Sequence, residues 1–209
     1  MSIFKGNKTK QRWIAARFLG KKDNGRIDSE LNAVVAYIYQ MPHLSLQPIV
    51  DQVYSSCGFK VTPFAMGKES EEYLACTFNL DELKVISRDA KITPTKIGQF
   101  ITVWKRIDDG PIQPFDATDK INFVVVNVSD GNHFGQFVFP KQVLIDHGVF
   151  SNDSKEGKRA IRVYPPWVSP LSKQAIKTQE WQSDYFLTVR KDGQTDLKRT
   201  KALFLKQKP

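Results

Sequence analysis

The sequence predicts an α/β or α+β fold in which helices pack on a mixed central β-sheet. Three observations carry this. Runs of alternating or continuous apolar residues recur as hairpins rather than as single strands between long helices, which excludes a TIM barrel and a regular doubly wound sheet. Helical spacing of apolar residues appears between those hairpins. At 209 residues, with 41% apolar and 25% charged side chains, the chain is of a size and composition to form one sizeable core.

In chain order, Asp28 or Ser29 is placed to cap a helix carrying Leu31, Val34, Val35 and Ile38, expected to run to about residue 40. Ile49, Val50, Val53 and Tyr54 give a shorter helix that Gly58 ends. "EYLACTFNL" and "LKVISRDAKI" read as strands joined tightly through Asp81-Glu82. Thr93 as cap and Pro94 at the first helical position suit a helix with Ile97, Phe100, Ile101 and Trp104 on one face. "IDDGPIQPFDATD" is a loop by composition.

The clearest hairpin follows: "INFVVVNV", a turn at Asp130-Gly131-Asn132, then "HFGQFVF". Pro140 opens a helix through Val143, Leu144 and His147 that Gly148 closes. "RAIRVYP" reads as a strand, "SKQAIKTQEWQ" as a helix capped by Ser172, and "YFLTV" as a last strand.

No apolar run approaches a membrane span and the first residues lack the apolar block of a secretory signal, so a cytoplasmic protein is expected. Two cysteines, Cys57 and Cys76, and three scattered histidines show no zinc-ligand spacing. G-x-S-x-G, a glycine-rich phosphate loop and H-E-x-x-H are absent, which removes the templates of common hydrolases, nucleotidases and metalloproteases.

The net charge of +9 is unevenly placed. Residues 1–26 hold eight basic and one acidic side chain, and residues 190–209 hold seven and two, which leaves −3 for the rest. The organisation expected is a basic N-terminal arm over 1–26, one domain over 27–189 and a basic C-terminal extension over 190–209. Within the acidic middle, Lys84, Arg88, Lys91, Lys96, Lys105 and Arg106 stand against Asp89 alone, and Lys155, Lys158, Arg159 and Arg162 against Glu156. Such clusters suit phosphate contacts, and Trp167 after Pro165-Pro166 is expected to be partly exposed and able to stack a base. Lys173 and Lys177 share a helical face.

A metal-dependent site has two placements. In a hairpin centred on Asp81-Glu82, Lys91 lies opposite Glu72 and Asp89 opposite Leu74, so Glu72, Asp89 and Lys91 fall on one side of the sheet. Two carboxylates would hold Mg²⁺ and the lysine would assist a water, as in the acid-x-lysine pattern of PD-(D/E)xK nucleases. Solvated charges at a hairpin end explain the same residues. Alternatively, "LKVISRDAKI", "INFVVVNV", "HFGQFVF" and "RAIRVYP" are four successive strands of one sheet. Asp119 then precedes the second and Lys141 follows the third, with Phe139 where a second acid belongs.

"AKITPTKIGQFITVWKR", "GPIQPFD", "GQFVFPKQVL", "HGVFS", "GKRAIRVYPPW" and "KQAIKTQEWQ" together resemble the MepB family across residues 45 to 189. That resemblance implies a fold related to the PD-(D/E)xK endonucleases and a nucleic-acid role. The expectation is therefore a nucleic-acid-binding protein with a divergent nuclease-like fold. Lys84, Arg88, Lys96, Lys105, Arg106, Lys158, Arg159, Arg162, Trp167, Lys173 and Lys177 are the expected binding residues. A Mg²⁺-dependent DNA endonuclease and a protein-interaction module are the alternatives.

Overall fold

The structure, a computed structural model, describes residues 49–67, 69–108, 110–190 and 194–205. The segment 1–26 and the helix expected over 28–40 lie outside the described residues. The short helix at Ile49 forms as expected, wound widely over Val50–Tyr54 and tightly over Ser55–Cys57, and ends at Gly58 with a φ of 86°. It buries Ile49, Val53 and Tyr54.

Eleven strands are described. They are β1 (Ala65–Met66), β2 (Cys76–Leu80), β3 (Leu83–Asp89), β4 (Lys91–Thr93), β5 (Lys96–Thr102), β6 (Trp104–Arg106), β7 (Ile112–Pro114), β8 (Phe123–Ser129), β9 (Phe134–Pro140), β10 (Ala160–Val163) and β11 (Phe186–Thr188). Three α-helices join them: α1 (Lys141–Asp146), α2 (Lys173–Ser183) and α3 (Leu197–Leu205). The central sheet has six strands in the order β1-β2-β3-β8-β9-β11 and is mixed, because β3 and β8 run parallel while its other neighbours are antiparallel. The expected α+β class with a mixed central sheet is thus what the chain adopts.

Alternation along β8 divides the core into two layers. Phe123 and Val125 join Ile49, Tyr54, Phe78, Leu203 and Phe204 on one face. Val124, Val126 and Val128 join Phe137, Phe139, Leu144 and Phe150 on the other, where Ile101 and Val163 arrive from a second sheet ordered β10-β5-β4. The β-branched run of β8 suits a strand covered on both faces. Ser172 Oγ accepts from Ala175 N at the start of α2, and Gly148 follows α1 at a φ of 60°, as their sequences foretold.

Three expectations are corrected. The segment from Thr93 to Trp104 is not a helix: Thr93-Pro94-Thr95-Lys96 turns the chain, and β5 returns along β4. Its β-branched residues favour extended backbone. Gly98 has a φ of 84° and leaves no room for a side chain, since a Cβ there would stand 2.7 Å from the Tyr164 ring. "LKVISRDAKI" is two strands, parted at Ala90, whose N–H donates to Asn127 O. "RAIRVYP" pairs with β5 in the second sheet, and the place beside β9 goes to β11. A short pairing of β6 with β7, a strand inside the expected loop, went unforeseen.

The stretch set apart as a basic C-terminal extension contributes α3, which buries Leu203 and Phe204 in the core. The Phe204 ring meets those of Tyr54, Phe59 and Phe123 with centroids 5.1–5.6 Å apart. Phe204→Ala should cost about 3–5 kcal/mol in urea denaturation. A loss below about 1 kcal/mol would show that α3 is a peripheral attachment.

Candidate functional site

The hairpin register on which the first placement depends forms as expected over Cys76↔Ser87 to Leu80↔Leu83. Beyond Cys76 the pairing stops: Leu74 has a φ of 44°, and Glu71–Tyr73 is a tight helical turn. Asp89 therefore has no strand partner at Leu74. Glu72 and Lys91 still meet, Nζ to Oε2 at 2.8 Å, with Lys91 also 4.6 Å from the centre of the Tyr73 ring. Asp89 is bound elsewhere, its Oδ1 accepting from Asn127 Nδ2 at 2.7 Å.

The second placement brings Asp119 and Lys141 close by a route other than their side chains. Lys141 Nζ donates to the backbone oxygens of Ala117 and Asp119, at 2.9 and 3.1 Å. The Asp119 carboxylate receives Lys105 Nζ at 2.7–2.8 Å, and the same ammonium reaches Asp116 Oδ2 at 2.5 Å. Lys105 extends from β6 into the loop before β8 and supplies the positive charge between two acids. The hydrogen bond from Lys105, aided by those from Thr118, holds the Asp116 carboxyl at about 2. Burial alone would lower the Lys105 pKa, but the two carboxylates outweigh it and raise it.

In this structure these carboxylates are engaged by cations or by an amide. Asp116 and Asp119 enclose an ammonium, Glu72 faces Lys91 and Asp89 is held by an amide. Among the described residues, no three His, Cys, Asp or Glu side chains gather to share an ion.

Asp89 belongs instead to a row of polar side chains inside the central sheet. It stands beside Asn127 in the parallel register, and Asn127 beside Gln136 in the antiparallel one. Gln136 Nε2 donates to Asn127 Oδ1 at 2.7 Å, and Tyr54 Oη donates to Gln136 Oε1 at 3.0 Å. Ser87, Asn127, Gln136 and Tyr54 are all buried. Burial pushes the Tyr54 phenol up and the neighbouring Cys76 thiol up to about 12, so both stay protonated near neutrality. This row was missed in the sequence, although Asn127 and Gln136 interrupt otherwise apolar strands and signal it.

The basic residues divide into engaged and unengaged sets. Arg88 is buried, with one guanidinium N–H on Ser87 O and its pKa lowered to about 10 by burial. Arg106 pairs with Glu69, and Arg159 with Glu156. Arg162 staples the β4–β5 turn, donating to Gly98 O at 3.0 Å and Thr93 Oγ1 at 2.8 Å. Lys84, Lys96, Lys158, Lys173 and Lys177 are exposed, and no described residue forms an ion pair with them. Trp167 is half-buried and lies 5.1 Å from His133, rings nearly parallel.

Two outcomes follow from the Lys105 cluster. Because the Asp116 pKa is depressed from 3.8 to about 2, its contribution to stability is complete above about pH 4 and is lost as the pH falls through about 2. Asp116→Asn should therefore flatten the decline in stability over that interval in an acid titration. Lys105→Met should destabilise by on the order of 1–3 kcal/mol, and Asp119→Asn should recover part of the loss in a double-mutant cycle. Strict additivity would contradict the pairing.

A family model described as MepB-like matches residues 67–188. The crystal structure of MepB is similar at 31% identity and a TM-score of 0.61, the match covering 79% of this chain and 99% of that one. A bacterial homing endonuclease matches at 15% identity and a TM-score of 0.37, over 67% of this chain and 90% of that one, a likeness too slight to support inference. No curated protein matches in sequence. No helix of the described residues is long and apolar enough to cross a membrane. With more than half its length matched by the family model and a solved relative spanned almost entirely, the chain belongs to the MepB-like family.

Proposed function

We propose that this protein binds nucleic acid in the cytoplasm and that its nuclease-like fold is divergent, with little or no catalytic capacity. The observation that carries the reading is the contrast between its charges. Lys84, Lys96, Lys158, Lys173 and Lys177 stand exposed without an ionic partner among the described residues, whereas the acids that would hold a metal are engaged. Cations held in solvent and uncommitted to local acids can replace the counterions of a phosphate backbone. Trp167 adds an aromatic surface to the same inventory.

Arg88, Lys105 and Arg162 support this role less directly. Arg88 is buried, Lys105 is taken up by Asp116 and Asp119, and Arg162 fixes the hairpin that presents Lys96. Their part is to position the surface. Arg106 and Arg159, each in one exposed ion pair, exchange an acid for a phosphate at small cost.

The test is fluorescence anisotropy with labelled single- and double-stranded DNA over a salt series, in Mg²⁺ or EDTA, with the same samples run on a denaturing gel. Binding should weaken steeply with salt, persist in EDTA and leave the DNA intact. Replacing Lys84 and Lys158 by alanine should reduce the slope of log affinity against log salt by about 0.9 for each phosphate that is no longer neutralised. Affinity indifferent to salt would overturn the reading. Mg²⁺-dependent cutting abolished by Asp89→Ala would instead support the endonuclease.

A further inference from the structure

Two hollows flank Trp167. A groove of about 590 Å³ is lined by Asn132, His133, Pro166, Trp167 and Phe186, with Arg190 at its wall. A smaller one of about 260 Å³ lies between Trp167 and Val168 and the β4–β5 hairpin, where Ile92, Lys96 and Ile97 line it. None of the acids proposed as metal ligands lines either.

The residues around Trp167 are arranged as a platform. The His133 imidazole lies against the indole at 5.1 Å with an 18° angle between planes. Its side chain remains 56% exposed. Asp130 fixes the ring: one carboxylate oxygen accepts the His133 backbone N–H at 2.8 Å and the other meets Nδ1 at 2.9 Å. This contact with the carboxylate fixes the orientation of the ring. The Trp167 indole N–H is buried and lacks a hydrogen-bond partner among the described residues, a state that a buried indole rarely tolerates.

The walls are apolar where a phosphate backbone would not be accommodated. Ile92 and Ile97 are 62% and 43% exposed although they sit on strands. Lys96 lines the same hollow as these isoleucines, Arg190 lines the larger one on the other side of Trp167, and Asp130 is the single acid among the described lining residues. Apolar and aromatic surface between cations matches the face of a base between phosphates.

From this geometry we infer that the Trp167 cleft holds an unpaired nucleobase of a single strand, stacked on the outer face of His133 with Lys96 on a neighbouring phosphate. The inference rests on the nucleic-acid reading and deepens it, because it makes single strands the preferred ligand. A paired base could not enter without leaving its stack.

The test compares anisotropy of a short labelled oligothymidine with that of an abasic oligonucleotide of equal length and charge. The intact protein should bind the base-bearing strand about tenfold more tightly. His133→Ala should abolish that preference, and His133→Phe, which keeps a ring, should retain it. Lys84→Ala should weaken both ligands alike. Equal binding of both strands by the intact protein, or a preference that survives His133→Ala, would overturn the stacking inference while leaving nucleic-acid binding in place. Binding to neither strand would overturn both. Loss of the preference in His133→Phe as well would also count against stacking, since the ring would then be insufficient.

Discussion

The structure depends on one constraint, that the antiparallel pair β8 and β9 is covered on both faces. From Phe123 to Val128 and from Gly135 to Pro140 every residue is buried. A strand pair in that position cannot carry a polar group without a partner at the same height, because an unsatisfied donor or acceptor there loses its water and gains nothing. The register supplies the partners. Asp89, Asn127 and Gln136 stand level on three adjacent strands, and Tyr54 closes the chain of hydrogen bonds from the short helix. The same covering explains Gly135: Phe186 occupies the space a Cβ would take, which lets β11 lie against β9.

Charge is distributed by the same logic. Carboxylates near the sheet ends are drawn into local pairing, Asp89 by the polar row and Asp119 by Lys105, because half-buried acids require compensation. Lysines on the outer elements have no such requirement and remain in solvent.

Much of the architecture was legible in the sequence, and the reasons for the failures are local. The β2–β3 and β8–β9 hairpins, the capped helix at Ser172 and the helix after Pro140 each combine periodicity with a turn or cap signal, so propensity and tertiary demand agree. Thr93 to Trp104 failed because Thr-Pro serves helix starts and turns alike, and the β-branched residues that favour extended backbone were outweighed by the helical spacing of the apolar ones. At the site, the Glu72–Lys91 pair was legible and its metal-binding companion was not: Asp89 turns to Asn127, a residue of a strand 38 positions away. Partner identity of that kind is a property of sheet order. The strand order β3-β8 skips four intervening strands, and no local pattern encodes it.

The seat of Phe204 also has a bearing on how the protein is made. Its ring completes a cluster begun by Tyr54 and continued by Phe123, so packing that spans more than two thirds of the chain must form together. During synthesis, the part of that face that Leu203 and Phe204 cover stays open until residue 204 has left the ribosome, and its apolar residues are exposed to other nascent chains in the interval. Slowing elongation before α3 would lengthen that exposure, and the yield of native protein should depend on how quickly the last helix arrives.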